Sequence, residues 1–152
     1  MRQNVQFWRD INANDFILSV IEFGYKLPFK SLPFSECLKN NKSSLNHPDF
    51  VVKTINDLLN ADMIFECKQR PFVVNPLTVA DNTTKLRLVL DLRHVNEFVI
   101  LEHIKFEDWH LALQLIQKDD FLFSFDFKSG YHHIEIHPDF YKYLGFSWVI
   151  DG

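Results

Sequence analysis

Two hydrophobic periods run along this chain of 152 residues, one helical and one alternating. Ile17, Val20 and Ile21 recur at helical spacing between an N-cap residue, Asn14, and a stop, Gly24, which predicts a helix over 14–23. Residues 25–46 read as loop, with Pro28, Pro33 and a polar run over 39–44. Pro48 suits the first turn of a second helix, whose apolar stripe is Val51, Ile55, Leu58 and Leu59. A third helix is expected over 106–117, from Trp109, Leu111, Leu113, Leu115 and Ile116, with Asp119 and Asp120 ending it.

The alternating period appears downstream of the second helix. Residues 72–79 form one expected strand, with Pro76 marking an edge or a bulge. Residues 80–84 connect it to a partner over 85–93. There Leu86, Leu88, Leu90 and Leu92 face one way, and Lys85, Arg87, Val89, Asp91 and Arg93 the other. An antiparallel sheet with one wet face has this pattern. Over 121–127 the alternation is aromatic. Phe121, Phe123, Phe125 and Phe127 share one face, and Leu122, Ser124 and Asp126 share the other. A carboxylate in so apolar a strand is costly unless solvated, paired or metal-bound, so Asp126 is expected at a strand end beside a cleft. Residues 132–137 alternate again around Ile134 and Ile136. Residues 138–142 suit a short helical turn and 144–150 a strand. That strand runs into Asp151-Gly152, a hairpin signal whose returning strand is missing, so the chain reads as a fragment.

Composition adds a core-forming capacity: 47% of residues are hydrophobic and 15% aromatic. No apolar run reaches the ~18 residues of a membrane helix, and no signal-peptide stretch opens the chain, so an intracellular site, cytoplasmic or nuclear, is expected. Cys37 and Cys67 lack zinc spacing and read as two buried thiols. The net charge of −4 does not advertise a nucleic-acid binder. Locally, Lys68, Arg70, Lys85, Arg87 and Arg93 outnumber Asp81 and Asp91, which makes a phosphate-contacting surface or an ordinary solvated face.

Together these features give a composite. Asp126 suits a hard divalent cation. The Ser129-Gly130 turn offers backbone N–H groups to phosphate oxygens. Arg87 can clamp a phosphate bidentately. The chemistry that joins them is phosphoryl or nucleotidyl transfer.

These residues also carry a family resemblance. Asp126-Phe-Lys-Ser-Gly-Tyr-His-His-Ile134 resembles the first catalytic motif of retroelement reverse transcriptases, typically Asp-Leu-Lys-Ser-Gly-Tyr-His-Gln-Ile. Lys85-Leu-Arg-Leu-Val-Leu-Asp-Leu-Arg-His-Val-Asn96 is similar to the fingers motif that precedes it. Val73-Val-Asn-Pro-Leu77 and Phe23-Gly-Tyr-Lys-Leu-Pro-Phe29 resemble gypsy/DIRS-like retrotransposon polymerases, and the likeness covers roughly residues 14–152.

The resemblance implies an α+β fold: right-hand polymerase fingers and a partial palm, an antiparallel sheet packed with helices, truncated at the C-terminus. It divides the chain into a lead-in over 1–46, fingers over 47–105 and the start of a palm over 106–152. It implies template-directed DNA synthesis by two-magnesium nucleotidyl transfer, with manganese as the alternative ion. Asp126 and the Phe127 backbone carbonyl would be metal ligands. Ser129 and Gly130 would meet the incoming triphosphate, and Tyr131 would stack under its sugar and exclude ribonucleotides. Lys85 and Arg87 would hold the β- and γ-phosphates, and Arg93 and Asn96 would position the template. The implied partners are an RNA or DNA template with primer, deoxynucleoside triphosphates, and the missing C-terminal palm and thumb; no membrane is implied.

Blander roles stand beside these. Tyr131 also reads as a core aromatic, Lys85 as a solvated hairpin residue, and Arg93 as the structural partner of Asp91 or Glu97. His133 and His137 would share a strand face with Glu135, as zinc ligands or as plain sheet surface. The family's second carboxylate motif is absent, so the isolated chain is expected to be inactive. The rivals are a non-catalytic nucleic-acid-binding remnant and an unrelated magnesium-dependent phosphotransferase.

Overall fold

Asn14 caps the first long helix as its side chain dictates: Oδ1 accepts the Ile17 N–H at 2.9 Å. In the computed structural model, residues 2–82, 85–103, 106, 108–127 and 130–149 are described. A 3₁₀ turn, Arg2–Asn4, leads into α1 (Val5–Asp10) and then α2 (Asp15–Phe23). Gly24 closes α2 at φ 91°, a left-handed value that favours glycine. A Cβ there would also lie 2.7 Å from the His137 nitrogen and the Ile136 carbonyl carbon. That close approach lets the Tyr25 N–H reach the Glu135 carbonyl at 2.7 Å, and the His137 N–H reach the Tyr25 carbonyl at 2.9 Å.

The segment over 25–46 is more than loop. It contains β1 (Glu36–Cys37) and α3 (Lys42–Leu45). The expected second helix is α4 (Pro48–Asn60), with proline in its first turn and Val51 and Ile55 buried.

Pro76 divides the strand expected over 72–79. Having no N–H, it cannot continue a ladder, and the chain passes there from one sheet to another. β2 (Val73–Asn75) is the fully buried centre of a three-stranded parallel sheet, ordered β1-β2-β5, where β5 is Gly145–Phe146. β3 (Leu77–Asp81) pairs antiparallel with β4 (Leu86–Leu90), with Val79 opposite Leu88. Ala80 and Asp81 thus extend the strand into the expected connection.

The other edge of β3 is met by side chains. Leu77 N–H donates to Asn40 Oδ1 at 2.9 Å, and Val79 N–H donates to Ser43 Oγ at 3.2 Å. The Leu77 carbonyl accepts from Ser44 Oγ at 2.8 Å and from the Asn41 N–H at 3.0 Å. The polar run is therefore a clamp that pairs a strand edge otherwise open to solvent.

Two apolar clusters lie behind these elements. Val51, Ile55, Leu77 and Val79 form one, packed by Leu86, Leu88 and Leu90 from β4. Val73, Val95 and Tyr143 form the other, packed by Phe29, Leu92 and Phe140. The strand expected over 85–93 ends at Leu90. Arg93–Asn96 is a short helix, α5, so Leu92 joins the second cluster.

The C-terminal third departs most from expectation. The third helix is confined to α6 (Trp109–Leu115), capped by Asp108, and none of its residues is buried. Residues 121–127 form no strand, and Phe121, Phe123, Phe125 and Phe127 are 101, 87, 74 and 63% exposed. Alternation builds a strand only where a neighbour takes its hydrogen bonds and a layer takes its apolar face. Among the described residues neither is present for this segment. Residues 130–133 form a 3₁₀ turn rather than strand, with a single bridge at Ile136, and the expected turn is a 3₁₀ helix, Pro138–Tyr143. The strand expected over 144–150 shortens to β5, and the Asp151-Gly152 turn lies outside the described residues. Cys37 and Cys67 are exposed rather than buried.

The architecture is α+β, with a small antiparallel sheet, a parallel sheet and helices. Among the described residues no helix is long and apolar enough to cross a membrane.

Candidate functional site

Four of the candidate residues fall on one continuous stretch of chain. Lys85 immediately precedes β4 and is exposed. Arg87 stands opposite Ala80 on the exposed face of β4, because Leu86 and Leu88 on either side are drawn into the core. Arg93 opens α5 and Asn96 ends it, held in place by the buried Val95 between them. The Asn96 N–H donates to the Leu92 carbonyl at 2.8 Å. The expected row of three cations on one strand face is thus Lys85 and Arg87 beside the hairpin, with Arg93 displaced onto a helix.

Arg93 has a partner, and it is Asp91. Arg93 Nε donates to Asp91 Oδ1 at 2.9 Å and Nη2 donates to Oδ2 at 2.6 Å, a two-pronged grip suited to a planar guanidinium. Asn41 Nδ2 donates to the same Oδ2 at 3.0 Å and also to Thr78 Oγ1. The hydrogen bonds from Arg93 hold the Asp91 carboxyl well below the usual carboxylate range; burial opposes this, and Asn41 reinforces it. The bond to Asp91 in turn raises Arg93. The Asp91 side chain is 12% exposed and that of Arg93 82%, so a mostly covered acid anchors an exposed cation.

The second group of candidates lies apart. Asp126 and Phe127 sit on the exposed, unpaired segment over 121–127, not at the end of a core strand. Gly130 begins the 3₁₀ turn Gly130–His133, and Tyr131 is 94% exposed, so it is not a core aromatic. Ser129 lies outside the described residues. No hydrogen bond or ion pair joins the described residues of 121–127 to those of 85–96. A shallow concavity is lined by Arg2, Val20, Ile21, His133, Ile134 and Glu135, none of them a candidate residue.

A two-magnesium site needs several oxygen ligands around each ion. Asp126 and one backbone carbonyl do not supply them, and among the described residues no three His, Cys, Asp or Glu side chains gather as a metal site. These residues therefore do not by themselves fit a pair of magnesium ions. The zinc alternative fares no better. Glu135 pairs with Arg2 at 2.7 Å, and His137 Nδ1 caps the following turn by accepting the Asp139 N–H at 3.3 Å.

Asn41 and Thr78 are absent from the sequence-derived site. The sequence signal for Asn41 was its place in the polar run over 39–44, which carries no period and reads as loop. Comparison with known proteins found no matching family model, no matching curated protein and no matching solved structure.

Proposed function

We propose that this chain is the fingers and N-terminal palm of a retroelement reverse transcriptase, a nucleotidyltransferase that copies a template into DNA. The observation that carries the proposal is the order and spacing of two motifs, 85–96 and 126–134. The arrangement of the first motif supports it. Leucines on one face of β4 enter the core, leaving Arg87 exposed on the other, with Lys85 before it and Arg93 on the adjoining helix. Exposed cations on a packed hairpin and helix suit contact with phosphates.

In this reading Lys85 and Arg87 take the triphosphate, and Arg93 and Asn96 the template strand. Gly130 and Tyr131 meet the nucleotide. Asp126 contributes one carboxylate, and the reaction requires others from a second motif. The solitary position of Asp126 favours one further reading, a nucleic-acid-binding module of the same ancestry without catalysis.

A labelled RNA–DNA hairpin serving as primer–template, titrated by anisotropy at several salt concentrations, tests the shared part. Binding should weaken with salt. Lys85→Gln with Arg87→Gln should lower the logarithmic salt slope by about 1 for each phosphate left unneutralised. Salt-independent binding, or no binding, contradicts both readings. In a chain extended through a second carboxylate motif, magnesium-dependent primer extension that Asp126→Asn abolishes separates the polymerase from the binding module.

A further inference from the structure

We propose that Asn41 is a positioning residue for Arg93, acting through Asp91; the inference rests on the assignment of Arg93 to the template contact.

Three observations converge. First, Asn41 is itself fixed. Its backbone N–H is held by the Leu77 carbonyl at 3.0 Å, and its amide nitrogen donates to Thr78 Oγ1, so its backbone and side chain are both anchored on β3. Second, that same nitrogen donates to Asp91 Oδ2 at 3.0 Å. An amide NH2 has two hydrogens, and Thr78 and Asp91 account for both. Third, Asp91 commits both oxygens to Arg93, through Nε and Nη2, while its own N–H is held by the Pro76 carbonyl at 2.9 Å.

The result is a relay from a sealed strand edge to an exposed cation. Asp91 neutralises much of the charge of Arg93, so its contribution is orientation rather than attraction. A guanidinium gripped by its Nε–Nη2 edge keeps Nη1 outward in one direction, ready for a phosphate oxygen. Without Asn41, the Asp91 carboxylate loses its hydrogen bond from the β3 side and keeps those from Arg93 itself, through the side chain and through the backbone N–H at 3.3 Å, so the direction of Arg93 spreads.

Asn40 supplies the control. It bridges the Leu77 N–H and the Ser147 carbonyl within the same clamp but makes no bond to Asp91. In the 15N-labelled chain, Asn41→Ala should speed solvent exchange of the Arg93 Nε–H by about tenfold, the strength of one hydrogen bond to a charged group. Asn40→Ala should leave it unchanged. Asn41→Ala should also weaken binding of the RNA–DNA hairpin with no change in salt slope, because every cation is retained. In an Arg93→Ala background it should weaken binding no further. Unchanged Arg93 exchange in Asn41→Ala, or equal acceleration in both asparagine variants, overturns the proposal. Should the alanine variant fail to fold, Asn41→Ser gives the same test: Asn41 stands at the N-cap position of α3, which serine suits, and serine is too short to reach Asp91. If the unsubstituted chain binds no primer–template, the functional assignment falls, while the exchange readout still decides the link from Asn41 to Arg93.

Discussion

The strand β4 and the segment over 121–127 show the same alternation of apolar residues and meet opposite fates. Leu86, Leu88 and Leu90 pair through β3 and pack on Val51 and Ile55 of α4. Phe121, Phe123, Phe125 and Phe127 have larger apolar side chains, yet they stand exposed, and among the described residues no strand pairs with their segment. An alternating pattern states which face a strand would bury; its partner decides whether it does. The two regions also divide the candidate residues. The cationic group is mounted on packed structure and Asp126 is not.

The largest expected effect falls in the packed half. Leu77 is 2% exposed and belongs to the first core cluster, so Leu77→Ala should lower unfolding free energy by about 2–5 kcal/mol in a denaturant titration. Gly24→Ala comes next, at more than about 1 kcal/mol. It meets both a left-handed backbone and the close approach of Ile136 and His137.

A smaller effect should appear as pH dependence. The folded-state Asp91 carboxyl lies below its unfolded value, so its contribution is fully present above the ordinary aspartate pKa of about 4. It is lost as pH falls through the lower folded value. Stability measured downward from pH 5 should decline, and Asp91→Asn should flatten that part of the curve. The smallest effect belongs to the open segment. Phe123→Ser should change stability by no more than about 0.5 kcal/mol. A destabilisation comparable to that of Leu77→Ala would erase the contrast between the two regions.

Where a residue acts through its nearest neighbours in sequence, the sequence was readable. Asn14, Gly24 and Pro48 mark helix ends, and the leucines of β4 choose the core face correctly. Pro76 signalled a break, though the exchange between two sheets depends on β1, whose two residues are too short to show a period, and on its pairing through β2 with β5, the short remainder of the strand expected over 144–150. The clamp from Asn40 to Ser44 depends on bonds to residues more than thirty positions away, which no local pattern records. In the candidate site, Arg93 was legible as a cation and its pairing with Asp91 was one of two alternatives; the Asn41 bond was not visible. The Phe-rich segment misled because its period describes one partner of an interaction that needs two.

Hydrogen exchange along the chain, measured with and without an RNA–DNA primer–template, bears on both halves at once. In the free chain, β3, β4 and α4 should exchange slowly and 121–127 within the shortest labelling time, since it has no strand hydrogen bonds. Added primer–template should slow exchange over 85–96. Protection of 121–127 equal to that of β4 in the free chain, or no response of 85–96 to nucleic acid, would contradict the division of this molecule into a packed cationic platform and an open, Phe-rich segment that carries Asp126.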